Sequence, residues 1–284
     1  MTRADKQTIF ITGAASGIGR ATAKYFAERD WDVIASARSW KQDGELEALP
    51  NVEQIDLDIT DLNQIHEVVG DVTGDKQIDV VFNNAGSMLL GPMEEFTDEQ
   101  LVHQVTTNLL GPLRVTQAFI PHFRKRGGGL FINTTSLSAV ISGPFMAVYA
   151  ATKAGLERWS FGLNLELNPF GIRVKTIVPG IVATNIMNSA TVVQGAPYEA
   201  HMDTVLSVFG DPEMQEGAPK PEGTAAVVLE AATDGSERIR YLADQVAIEQ
   251  VSKTAEFGEE QAQSNGARAM FGEPPASAER SAVS

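Results

Sequence analysis

Apolar residues in this chain gather into short unbroken runs rather than alternating with polar ones. Such runs recur at Thr8–Thr12, Asp32–Ala37, Val52–Asp56, Asp79–Asn83, Gly129–Thr134, Arg173–Val178 and Arg238–Ala243. A strand with one wet face alternates, so runs of this kind predict strands covered on both faces. Between them, apolar residues return at helical spacing over 17–29, 61–71, 98–125, 148–168 and 221–232. Strand and helix in alternation predict one α/β domain, residues 1–250, with a doubly wound parallel sheet. Such sheets hold ligands beyond the C-terminal ends of their strands. Gly13, Asn84, Ser136 and Pro179 each fall just past such an end, so four separated segments converge on one rim.

Two stretches break the pattern. Residues 185–220 mix Met187, Tyr198, Met202, Val205, Val208 and Phe209 with Gly and Pro. They read either as a surface excursion or as a flap over a substrate, and a long insertion beside a reactive rim favours the flap. Residues 251–284 form a C-terminal extension drifting toward Glu, Gln, Ser, Ala and Gly. A further helix is expected over 245–263, and disorder in the last dozen residues.

The chemistry sits at the rim. Tyr149 and Lys153 are four apart on a predicted helix and share its face. A cation beside a phenol favours the phenolate, lowering a pKa that starts near ~10. Upstream, the first strand runs into Thr12-Gly13-Ala14-Ala15-Ser16-Gly17-Ile18-Gly19 and then a helix. Glycines let backbone approach a pyrophosphate, and the helix N-terminus faces that anion with free N–H groups. The fourth long strand ends in Asn83-Asn84-Ala85-Gly86, and the next leads to Ser136, thirteen residues before Tyr149. Pro179-Gly180-Ile181-Val182-Ala183-Thr184 follows the strand after that.

Taken in this order and at these spacings, the motifs resemble those of the short-chain dehydrogenase/reductase family, in its compact single-domain branch, over roughly residues 6–248. In detail the chain looks like the NADP-dependent hydroxysteroid and ketone reductases. The resemblance implies a Rossmann-like fold, hydride transfer between NADP(H) and a carbonyl or secondary alcohol, and a homodimer or homotetramer. It implies that Tyr149 is the general acid in reduction, that Lys153 lowers its pKa and bonds the nicotinamide ribose, and that Ser136 binds the substrate oxygen. Asn108 matches the helix asparagine supporting a proton relay through water to Lys153. Gly13, Gly17, Ile18 and Gly19 match the pyrophosphate cradle. Asp58 and Ile59 match the pair around the adenine, with Asp56 a competing carboxylate. Asn84, Ala85 and Gly86 match the adenosine side, and Pro179, Gly180, Ile181, Val182 and Thr184 the carboxamide end.

Cofactor choice shows at the second strand's end. An NAD site usually carries an acid there, but this chain has Ala37-Arg38-Ser39 and no acid before Asp43. The Arg38 guanidinium suits a phosphate, which argues NADP(H) over NAD(H). Many NADP-preferring relatives have a basic residue just before the second glycine, where this chain has Ser16, so either the preference is moderate or Arg38, Ser39 and Ser16 share the phosphate. Met88, Leu89, Leu90, Ile141, Phe145 and Met187 are expected near an apolar substrate pocket.

Composition narrows the alternatives. At 284 residues with no cysteine, disulfides and thiolate zinc sites are excluded, which fits a reducing compartment such as the cytoplasm. His66, His103, His122 and His201 are scattered without ligand spacing, so no metal is expected. A net charge of −15 argues against nucleic acid; Arg124-Lys125-Arg126 reads as a helix C-terminus where cations suit the dipole. No apolar stretch approaches membrane-spanning length, and no signal peptide is expected. A non-catalytic NADP(H)-binding sensor on the same fold is the competing class; a sensor has no need of Ser136, Tyr149 and Lys153 together.

Overall fold

The computed structural model describes residues 6–40, 44–184, 186–187, 189–211 and 216–272. Seven strands form a sheet in the order β3-β2-β1-β4-β6-β7-β9, every adjacent pair parallel. They are β1 (Thr8–Thr12), β2 (Asp32–Ala37), β3 (Val52–Asp56), β4 (Val80–Asn83), β6 (Gly129–Thr134), β7 (Ile172–Val178) and β9 (Arg240–Leu242). The order reverses between β1 and β4, which opens a crevice at their C-terminal ends. Strands β5 (Leu89–Leu90) and β8 (Thr191–Val192) pair separately, in parallel.

The inner strands are covered on both faces, as their apolar runs predict, but the two edge strands are not. Strand β3 (Val52-Glu53-Gln54-Ile55-Asp56) has no buried residue, and β9 buries only Tyr241. On one side Ile9, Ile11, Val33 and Phe82 meet Ala23 and Phe26 of α1 (Gly17–Ala27) and Val228 and Ala231 of α7 (Pro221–Thr233). On the other, Phe10, Val81, Phe131 and Val174 meet α2 (Leu62–Asp75), α4 (Gly111–Arg126) and α5 (Ala147–Leu167). The Phe10 and Phe119 rings lie 4.9 Å apart, and Phe123 and Phe131 4.8 Å apart.

The differences from the sequence pattern have local causes. The helix expected over 98–125 is three pieces: α3 (Asp98–Val105), a π-helical turn at Thr106–Leu110, and α4. Pro112 has no N–H to return to the Asn108 carbonyl, and the turn widens so that Gly111 N–H reaches Thr106 O. The one helix expected over 245–263 is two, α8 (Gln245–Phe257) and α9 (Glu259–Phe271), because Gly258 at φ 83° breaks it. Helix α8 runs across position 250.

Segment 185–220 is more built than a plain excursion. Its β8 pairs with β5, and α6 (Glu199–Gly210) buries Met202 and Val205 completely or nearly so. The disorder expected for the last dozen residues lies outside the described residues.

Candidate active site

At the end of β1, Thr12 joins two loops. Its Oγ1 accepts from Asn84 N at 3.0 Å and Ala85 N at 3.1 Å. Asn84 Nδ2 returns donors to Thr12 O and Gly13 O. Gly13 takes φ +68°, and a Cβ there would stand 2.7 Å from Ala85 Cα. Here glycine is required twice, by conformation and by contact. Ser16 occupies the N-cap of α1 but makes no side-chain cap, so the first N–H groups of the helix stay open to an anion.

Tyr149, Lys153 and Ser136 come together where β6 and α5 meet. Ser136 caps a short turn, and its Oγ accepts Ser138 N at 3.1 Å. The Ser136 and Tyr149 side chains line the same stretch of cavity wall, near enough for Ser136 to favour the phenolate. Tyr149 and Lys153 are 5% and 4% exposed. Lys153 Nζ donates to Thr134 O at 2.9 Å and lies 5.9 Å from the Tyr149 ring centre.

This geometry reverses one expectation. Burial pushes the Tyr149 phenol above its usual range, and the Ser136 side chain offsets only part of that. Burial also brings the Lys153 ammonium down, to about 8. Desolvation penalises both charged forms, and it outweighs attraction across this distance. Tyr149 at neutral pH is therefore a neutral phenol, a proton donor.

Asn108 lies behind this set, fully buried on the π turn. Its Oδ1 accepts Ser87 N and its Nδ2 donates to Ser87 O, both at 2.8 Å. The side chain thus clamps the strand end that carries Gly86. π-helical turns recur at functional sites, but Asn108 does not itself line the cavity.

One cavity of about 650 Å³ runs along the rim. Its wall includes Gly13, Ser16, Gly17, Ile18, Arg38, Asp58, Ile59, Asn84, Ala85, Gly86, Ser136, Tyr149, Lys153, Pro179, Gly180, Ile181, Val182 and Thr184. Gly19 is off the wall: a Cβ there would meet Gly13 O at 2.3 Å and Asn84 Nδ2 at 2.5 Å. It spaces helix from loop rather than cradling a ligand. Asp58 lies on the wall with one oxygen held by Thr60 N and Oγ1. Asp56 is engaged by Trp40 Nε1 at 3.0 Å and faces elsewhere. Arg38 is exposed, with no hydrogen-bond or ion-pair partner among the described residues. The uncapped helix end and the close glycine loops fit the pyrophosphate of a dinucleotide.

The apolar end differs in part from expectation. Met88, Ile141 and Met187 line the cavity. Leu89 and Leu90 are buried in the β5–β8 pair. Phe145, held at φ 60°, packs its ring on Tyr198 and Phe271.

Sequence reasoning missed Asp244, Val246 and Gln250 of the α8 region and the entire cavity-facing side of α9. Asp244 Oδ2 accepts Gly180 N at 2.7 Å, while Oδ1 caps α8 through Ala247 N at 2.9 Å. An Asp directly before an apolar helical run is a readable cap signal; α9, with no buried residue of its own, carries none.

Among the described residues, no group of His, Cys, Asp and Glu could hold a metal ion, and no helix is long and apolar enough to cross a membrane.

The sequence profile of the family described as short chain dehydrogenase matches residues 7–193. Human 17-beta-hydroxysteroid dehydrogenase type 1 is 31% identical over 256 residues, 83% of this chain and 77% of that protein. The 3-oxoacyl-(acyl-carrier-protein) reductase of Thermotoga maritima is 34% identical over 243 residues, 84% and 94% of the two chains. A short-chain dehydrogenase from Streptomyces avermitilis shares the fold at TM-score 0.79 and 31% identity, over 94% of this chain and 99% of the other. One from Sphingobium yanoikuyae in complex with NADPH aligns at TM-score 0.69 and 26% identity, over 90% and 95%. One from Burkholderia phymatum in complex with NAD has the same fold at TM-score 0.77 and 20% identity, over 98% and 100%. With its rim motifs, parallel sheet and sequence relatives in agreement, this chain belongs to the short-chain dehydrogenase family of oxidoreductases.

Proposed function

We propose that the protein is an NADP(H)-dependent carbonyl reductase, or in reverse a secondary-alcohol dehydrogenase, acting on an uncharged and largely apolar substrate. The observation that carries this reading is the convergence of Ser136, Tyr149 and Lys153, all three buried, on the wall of one cavity. The bound nicotinamide supplies or accepts the hydride.

The chain's own residues supply the rest. Ser136 and Tyr149 converge two hydroxyls on the position a substrate oxygen would take, where negative charge grows during reduction. The neutral phenol of Tyr149 donates the proton that converts that oxygen to a hydroxyl. Burial keeps Tyr149 protonated, which suits reduction. In the reverse direction the same oxygen takes the proton back from the alcohol. Lys153 offers a buried ammonium next to the phenol for the ribose hydroxyls. Asn108 fixes Ser87, and with it the Gly86 backbone that passes in front of Lys153; a Cβ on Gly86 would stand 3.3 Å from Asn108 Oδ1 and 3.6 Å from Lys153 Nζ.

Arg38 supports NADP(H). Its guanidinium is free, at a strand end without a carboxylate, and a fork of N–H donors matches a phosphate. The NADPH complex of the Sphingobium yanoikuyae relative is consistent with this, and the same fold also accommodates NAD.

The decisive experiment is NADPH oxidation over a panel of ketones and aldehydes, with wild type and Tyr149→Phe. The substitution removes one oxygen and keeps the ring. We expect kcat to fall by about 10²–10⁴-fold, the usual contribution of general acid–base catalysis, with NADPH affinity nearly unchanged. A variant retaining about a tenth of wild-type kcat removes Tyr149 from that role.

A further inference from the structure

The far wall of the cavity comes from α9. Ala262, Gly266 and Met270, at i, i+4 and i+8, line it together with their neighbours Gln263, Ala267 and Phe271. Two contacts hold this face at the reacting end. Gln263 Nε2 donates to Ser142 O at 2.9 Å. The Phe271 ring meets Phe145 at 6.4 Å and His201 at 5.4 Å, both edge-on. Ser142 and Phe145 belong to the loop between Ser136 and Tyr149, so α9 stands over the chemistry and not over Arg38.

Gly266 is the position that calls for a reason. Glycine inside a helix is less favourable than alanine. Conformation does not require it, since it is absent from the positive-φ glycines. Packing does not require it either: a Cβ would meet nothing within 4 Å. The open space in front of it is the cavity. Ala262 and Ala267 continue the same shallow wall. The charged groups on the cavity wall, among the described residues, are Arg38, Asp58 and Lys153. The first two belong to the opposite end and the third to the catalytic set, so the α9 end carries no charge.

We propose that α9 sets the depth of the substrate site, with Gly266 limiting its width, and that the site takes an uncharged ketone whose apolar body extends past the carbonyl against Ala262, Gly266 and Ala267. The proposal rests on the reductase reading and adds to it the part of the substrate away from the reacting carbon.

The test compares wild type, Gly266→Ala and Gly266→Leu in the full chain, with butan-2-one and decan-2-one. These probes share one carbonyl and differ only in apolar tail. Leucine should raise KM for decan-2-one about tenfold or more, the scale on which a few methylenes discriminate in an apolar pocket. It should change kcat/KM for butan-2-one far less than for decan-2-one, with alanine in between. Unchanged KM for decan-2-one in Gly266→Leu overturns the proposal. If wild type binds NADPH but reduces neither ketone, the reductase reading fails, and the wall is judged by binding alone. A decan-2-one-induced rise in melting temperature, present in the wild-type NADP complex and lost in Gly266→Leu, then supports it. Equal shifts, or none in either protein, reject it. Gly266→Ala serves as the folding control, since it can only gain helix propensity.

Discussion

Lys153 is nearly sealed from water, and its one hydrogen-bond partner among the described residues is a neutral carbonyl, Thr134 O. The sign of its effect on stability follows. Its folded pKa, about 8, lies below the ordinary value of 10.5, so between those two pH values the unfolded chain binds more protons. Stability from this group therefore rises with pH through that window. Comparing melting temperatures of wild type and Lys153→Met, the wild type should gain on the variant as pH rises from about 8 to 9.5. Above that range the raised Tyr149 pKa acts in the opposite direction. A constant difference would mean that Lys153 titrates normally. Arg38 makes a second prediction at this scale. Arg38→Asp removes a charged donor and introduces repulsion toward a 2′-phosphate. NADPH affinity should fall about tenfold or more, given 1.5–3 kcal/mol for a hydrogen bond to a charged group. The ratio of kcat/KM for NADPH over NADH, at one ionic strength, reads this out. A wild-type ratio below one would refute the NADP(H) preference.

Elements position the site through their ends. The π turn between α3 and α4 brings Asn108 under Ser87, and Pro112 explains why the helix cannot run straight through. The start of α8 does the same for the Pro179–Thr184 loop. Asp244 divides its carboxylate between the first turn of α8 and Gly180 N. Asp244→Ala should lose a cap worth typically ~1 kcal/mol and leave Gly180 N–H without its acceptor, lowering the melting temperature by about 2–6 °C in a chain of this length. It should also weaken NADPH binding severalfold, because Gly180 and its successors line the cavity where we propose that the nicotinamide sits. Asp244→Asn keeps one acceptor of two and should fall between. Calorimetry with an NADPH titration measures both, and loss of stability without loss of affinity would confine Asp244 to the helix.

At the scale of the whole molecule, what could be read from the chain is what local residues decide. Continuous apolar runs specified the inner strands, because burial on both faces leaves no polar alternation; the edge strands β3 and β9 carry charged residues and open to solvent. The glycine loop, Asn84–Gly86, Ser136, Tyr149 and Lys153 were legible because their spacing along one strand end or helix face carries their geometry. Three things were not. The direction of the Tyr149 shift depends on how much protein closes over the phenol. The different employment of Gly13 and Gly19 depends on which backbone approaches from elsewhere. Helix α9 has no apolar stripe to announce it, and its position depends on Ser142, Phe145 and His201, all remote in sequence.

The layer over α1 has a consequence for how the chain is made. Phe26 and Ala23 share one core with Val228 and Ala231 of α7 and with Tyr241 of β9. A ribosome delivers α1 some two hundred residues before those partners, at about 5–20 residues per second. For ten seconds or more on that scale, the first βαβ unit stands with one apolar face open. Nascent chains that stop short of residue 221 expose that face permanently, which makes them clients for chaperones and targets for proteolysis rather than small stable domains.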